Sequence, residues 1–150
     1  VNIDFGPKEV FNLIEYLNTI FYEINTNFIT FPIIKDSLRE DFFVLSEKAL
    51  VKMLVTNLIQ NGIEANAEGF SVSIKNEENI LLVEFITSNR KIEEPSKIFK
   101  LGYSLKGEKR GFGLFLCKKI SSYLDLNLNF KNSDRGVIFS ITFTRSHHSL

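Results

Sequence analysis

A helix that is apolar on nearly every face has to be enclosed, and this chain carries one. Ser46, followed by Glu47 and Lys48, reads as an N-cap. Ala49, Leu50, Val51, Met53, Leu54, Val55, Leu58, Ile59 and Ile63 then run to about Asn66. No single stripe is left to face water, so the helix belongs at the centre of the domain and the rest of the chain must wrap it. The 150 residues suffice for one domain with a sizeable core.

The wrapping material is of two kinds. Val10, Leu13, Ile14, Leu17, Ile20, Phe21 and Ile24 recur at three- and four-residue steps, as do Phe112, Phe115, Leu116, Ile120, Tyr123 and Leu124. Both are helical stripes. Val1–Phe5 alternates like a short strand, Phe28–Ile34 is β-rich with Pro32 and reads as an edge strand, and Phe42–Leu45 is a further short strand. Phe70, Val72 and Ile74 alternate with polar residues, Glu77-Glu78-Asn79 turns the chain, and Ile80–Ile86 returns. Leu126, Leu128 and Phe130 lead through Asn132–Gly136 to Val137, Phe139, Ile141 and Phe143, a second hairpin. The expected architecture is α+β: a two-layer sandwich of one mixed β-sheet covered on one face by about three helices.

Composition narrows the function. Apolar residues at 44% and charged residues at 24% exclude a disordered chain. Fifteen Phe against four Tyr and no Trp predict a largely internal aromatic set. Eighteen basic residues balance eighteen acidic ones, which argues against a nucleic-acid binder. Cys117 is the only cysteine, so neither a disulfide framework nor a Cys-rich zinc site is available. No run is long and apolar enough to span a membrane. His147 and His148, adjacent in the polar tail, assemble no catalytic triad.

Two constellations remain. Asn57 and Asn61 stand one above the other on an edge of the apolar helix. An unpartnered carboxamide there costs ~1–3 kcal/mol, so either each bonds a neighbouring backbone or the pair grips a ligand. A carboxamide oxygen suits magnesium that also holds phosphate oxygens. The second constellation is the run from Gly102 to Leu114, where Gly102, Gly107, Gly111 and Gly113 make up half of the eight glycines. Lys106, Lys109 and Arg110 lie among them, ahead of a helix start. Glycines admit phosphate close to the backbone and free amides at a helix start favour anions, although a plain surface loop has the same look.

Together these segments resemble the GHKL ATPase superfamily. The apolar helix with Asn57, Asn61 and the Ile63-Glu64-Ala65 that follows looks like its N-box. "KIFKLGYSLKGEKRGFGLFLCKKI", Lys97 to Ile120, resembles the F-box, ATP lid and second glycine box of bacterial sensor histidine kinases. The resemblance covers residues 1–145 as a histidine-kinase-like ATP-binding domain of Bergerat fold, leaving 146–150 as a flexible tail. It implies ATP and Mg2+ as cofactors, with Asn61 as the metal ligand and Asn57 helping to hold metal and phosphates. Asn57 stands where the superfamily's ATPase branch has a catalytic glutamate, which speaks against gyrase-like or chaperone types. By the same resemblance Ser104 and Lys106 approach the phosphates from the lid. Arg110, Gly111 and Gly113 shape the second phosphate-facing turn, Leu114 lies behind the nucleotide, and Phe99 anchors the lid.

One motif departs from the family. Its first glycine box, Asp-x-Gly-x-Gly, is here Thr87-Ser88-Asn89-Arg90-Lys91. The adenine-reading Asp aligns with Thr87, or with Asn89 if the loop shifts. Losing a charge-assisted hydrogen bond would weaken binding roughly ten- to hundredfold. The resemblance implies a kinase catalytic domain, with Asn57 and Lys106 in the catalytic role, that passes the γ-phosphoryl group of ATP to a histidine on a separate dimerisation domain. A response regulator is the further partner, with no nucleic acid and no direct membrane contact. The domain is expected to be cytoplasmic, alone or as part of a membrane-bound sensor. The alternative is a module that keeps the fold but binds ATP weakly or not at all, and acts as a protein-interaction or regulatory domain.

Overall fold

The computed structural model describes residues 7–27, 30–36, 39–100 and 112–147. The stretch predicted as a strand over Val1–Phe5 lies outside them. Val10 does not start a helix. It belongs to strand β1 (Glu9–Asn12), which passes directly into helix α1 (Leu13–Asn27). The period of three and four holds only from Leu13 on, where Leu13, Ile14, Leu17, Ile20, Phe21 and Ile24 are all buried. Strand β2 (Ile33–Lys35) follows Pro32, and strand β3 (Phe43–Ser46) leads into helix α2 (Lys48–Asn66). Ser46 therefore closes a strand. The N-cap is Glu47, which makes no side-chain capping bond.

Strands β4 (Phe70–Asn76) and β5 (Ile80–Thr87) form the first hairpin. Helix α3 (Phe112–Tyr123), then strands β6 (Asn127–Ser133) and β7 (Gly136–Thr144), complete the chain. Asp125 ends α3 in a left-handed conformation, φ 56°. The Leu126 and Asp125 amides donate back to the Ser121 and Ser122 carbonyls, a Schellman closure.

The main sheet has five strands in the order β2-β4-β5-β7-β6. It is mixed because β2 runs parallel to β4 while every other pairing is antiparallel. This is the expected α+β architecture with three helices. One element was not foreseen: β1 and β3 pair antiparallel as a separate two-stranded sheet. It brackets the entries of α1 and α2, since each of its strands runs straight into one of those helices.

Register puts Phe70, Thr87, Val137 and Asn132 in one row across β4, β5, β7 and β6. The next row on that face is Val72, Phe85, Phe139 and Phe130. The apolar members of these rows join Leu50, Leu54, Leu58 and Cys117 in a single core, while Asn132 at the end of its row is exposed. Leu54 has no exposed surface, so Leu54→Ala should cost ~2–5 kcal/mol in urea unfolding; a loss under ~1 kcal/mol would contradict the central place of α2. The tail is tied down further than its polarity implied. The Arg145 amide donates to Asn79 O at 2.9 Å and the Ser146 amide to Phe43 O at 2.7 Å, and the Arg145 guanidinium lies 4.5 Å from the centre of the Phe42 ring.

Candidate functional site

Asn57 and Asn61 lie on α2, one turn apart, and both are half-buried. Neither is sealed into the core. The Nδ2 of Asn61 is shielded from solvent and has no hydrogen-bond partner among the described residues. A buried donor of this kind costs free energy until an acceptor arrives. Asn61 therefore holds a polar group in readiness, where a capping Asn would have spent it on backbone.

The next residue explains how the sheet reaches this turn of α2. A Cβ at Gly62 would overlap the Phe70 ring and lie 3.1 Å from Thr87 Oγ1. The missing side chain lets α2 settle onto the ends of β4 and β5. Thr87, 2% exposed and in the inward row, is thereby brought against the helix one residue beyond Asn61. Asn89 goes elsewhere. It is exposed, with φ 58°, and lines a hollow with Arg90, Lys91, Glu93, Ser133, Asp134 and Gly136. Asparagine tolerates that left-handed conformation better than other residues with a side chain.

Gly113 and Leu114 open α3, with Leu114 buried at 1% exposure and, among the described residues, no atom within 4 Å of where a Gly113 Cβ would stand. Helix α3 packs on α2, its Cys117 thiol 3.9 Å from the Leu54 carbonyl. Burial pushes that thiol up to about 12, so it stays protonated at neutral pH and serves packing. Phe99 makes edge contacts with Phe130 and Phe139 at 5.5 and 6.4 Å. The Lys118 ammonium sits 5.3 Å from the Phe99 ring centre, so the aromatic is pinned to β6, β7 and α3. Ser104, Lys106, Arg110 and Gly111 lie outside the described residues.

The sequence reading passed over four residues that shape this end of the sheet. Asn66 Nδ2 donates to Ser88 O at 2.9 Å while its Oδ1 accepts from the Gly69 amide. Gly62 and Gly136 permit close approach, and Asn132 holds Ile92. Asn66 continues the four-residue step from Asn57 and Asn61 at one remove, a faint signal. For Asn132 there was none beyond its place in a turn. Among the described residues no group of three His, Cys, Asp or Glu could hold a metal, and no helix is long and apolar enough to cross a membrane.

The arrangement of an Asn-bearing central helix over a mixed sheet has counterparts. Residues 46–147 match the family model of histidine kinase-, DNA gyrase B- and HSP90-like ATPases. The chain belongs to that family. Its fold is that of histidine kinase catalytic domains. The nucleotide-free catalytic domain of histidine kinase ThkA superposes with a TM-score of 0.76 at 24% identity, over 93% of this chain and 98% of that one. ThkA in complex with response regulator protein TrrA gives 0.75 at 24% identity, over 93% of this chain and 42% of that one. Full-length ShkA in complex with AMPPNP gives 0.73 at 12% identity, over 100% of this chain and 34% of that one. At such identities the likeness speaks for the fold. A comparison with curated proteins returns no match. For this member of the ATPase family, the match ends within the same polar tail that the Arg145 and Ser146 bonds tie to the sheets.

Proposed function

We propose that this chain is the ATP-binding catalytic domain of a two-component sensor histidine kinase, serving a phosphoacceptor histidine on a separate dimerisation domain and, beyond it, a response regulator. The unpartnered, buried Nδ2 of Asn61 carries the reading. A bound triphosphate would supply an acceptor oxygen for that N–H donor, while the Oδ1 of the same carboxamide suits a hard cation. Bound magnesium ATP supplies the γ-phosphoryl group. Asn61 is proposed as the metal ligand, and Asn57 one turn earlier as its companion toward metal and phosphates. Thr87 is proposed at the base in preference to Asn89, which lines a separate hollow, with Gly113 and Leu114 at the start of α3. Ser104, Lys106, Arg110 and Gly111 are proposed for the phosphates. Residues 1–145 are proposed as the functional unit.

The protein's contribution is positioning and charge neutralisation. The ThkA–TrrA complex and the ShkA–AMPPNP complex support the partner and the nucleotide by analogy of fold. Titrating the domain with ATP, with and without magnesium, tests the reading. Magnesium-dependent binding is the expected result. Silence at millimolar nucleotide would instead favour a protein-interaction module that has kept the fold, a reading encouraged by the uncharged Thr87.

Thr87→Asp bears on the base. It should tighten adenine-nucleotide binding about tenfold. The same change should lower the stability of the nucleotide-free protein, because position 87 is only 2% exposed and the new carboxylate would be desolvated. Unchanged affinity in calorimetry would mean that the base is read from another residue.

A further inference from the structure

Between Thr87 and Glu94 the chain contains no glycine, yet it keeps a defined path that includes the left-handed Asn89. The path is imposed from outside at alternate residues. Ser88 exchanges its amide with Gly69 O at 2.9 Å and its carbonyl with Asn66 Nδ2 at 2.9 Å. Arg90 Nε donates to Ala65 O at 2.8 Å. At Ile92 a single carboxamide does the work of a strand neighbour: Asn132 Oδ1 accepts from the Ile92 amide at 2.8 Å, and Asn132 Nδ2 donates to Ile92 O at 3.2 Å. Ile92 itself is 1% exposed and belongs to the core. Asn132 shares its row of the sheet with Val137 and Thr87. Loop 88–92 is therefore strung between the C-terminal end of α2 and the end of β6.

We propose that Asn132 is a positioning residue for the nucleotide site. It acts through Ile92, holding the far end of the loop so that Ser88 and Arg90 stay laced to α2 and Thr87 keeps its place against Gly62. The inference rests on the ATP-binding reading above. A loop that is in place only part of the time lowers apparent affinity by that fraction. Loss of both Asn132 bonds leaves the buried Ile92 backbone without these partners and frees the loop.

The test compares the parent with Asn132→Ala, Asn132→Asp and Leu128→Ala, using ATP titration in magnesium and amide hydrogen exchange without nucleotide. Asn132→Ala should weaken ATP about tenfold and speed exchange at Ile92, while strands β4 and β5 stay protected. Asn132→Asp keeps an acceptor for the Ile92 amide and should recover part of both. Leu128→Ala, in the core on the same strand, should lower stability without moving affinity; if it weakens ATP as much as Asn132→Ala, a general loss of stability replaces the positioning role. Unchanged exchange at Ile92, or an Asn132→Ala affinity equal to that of a parent that does bind, overturns the proposal alone. A parent that binds no ATP removes the functional reading and this inference with it.

Discussion

Asn61→Ala is expected to abolish magnesium-dependent ATP binding while leaving the nucleotide-free domain as stable as the parent, or slightly more stable. Most substitutions on a central helix destabilise. This one removes a buried donor that has no partner among the described residues, and such a group weighs against the folded state by ~1–3 kcal/mol. Alanine is also the better helix former. The two effects part in one experiment, thermal unfolding with and without magnesium ATP. At a nucleotide concentration a hundred times its dissociation constant the parent should gain ~2.7 kcal/mol; the variant should gain nothing. A variant that still responds to nucleotide, or whose unliganded form has lost ~2 kcal/mol, would show that the carboxamide is structural.

The second large effect is on stability. Gly136→Ala should destabilise the domain by ~3 kcal/mol or more, measured by urea denaturation. Gly136 has φ 118°, a conformation that side chains rarely adopt. A Cβ there would overlap the Thr87 carbonyl oxygen and lie 2.8 Å from Ser88 Cα. Both obstacles are backbone of the neighbouring strand end, so no rotamer change relieves them. The residue also closes the β6–β7 turn, where the Ser133 hydroxyl donates to Gly136 O at 3.1 Å. A cost below ~1 kcal/mol would mean that β5 and β7 can separate at this end without penalty.

The helical and strand periods placed most of the fold because burial follows them closely. Phe70, Val72 and Ile74 are each buried, as are Val137, Phe139, Ile141 and Phe143 of the other alternating stripe. The reading failed where neighbouring signals overlap. Val10 sits at the right spacing for the α1 stripe, but pairing with Leu45 draws it into a strand. Ser46 has the chemistry of a cap, yet β3 claims it. A separate two-stranded sheet is a matter of which strand ends meet, and period carries no such information.

At the site, residue types that are costly inside a helix were conspicuous, and Asn57 and Asn61 announced themselves by being out of place. The altered glycine box showed that something was missing without showing what replaced it. Asn66, Arg90 and Asn132 restrain that loop from positions 22, 25 and 40 residues away from one partner or another. Restraints across such spans belong to tertiary structure, and no local pattern encodes them. Thr87 and Asn89, the two candidates that the family resemblance offered, part company only once Gly62 draws one of them to α2.

The place of β7 has a consequence for biosynthesis. It is the last of the described strands in chain order, yet it sits between β5 and β6 in the sheet. On the ribosome, β4 and β5 can pair early, but β5 keeps one open flank and β6 has no neighbour until Thr144 has left the exit tunnel. Until that moment the nascent domain exposes an unpaired strand edge of the kind that invites association with other chains. The closing step of assembly is thus the insertion of a central strand, and a ribosome stalled before residue 136 would hold a domain that cannot shut.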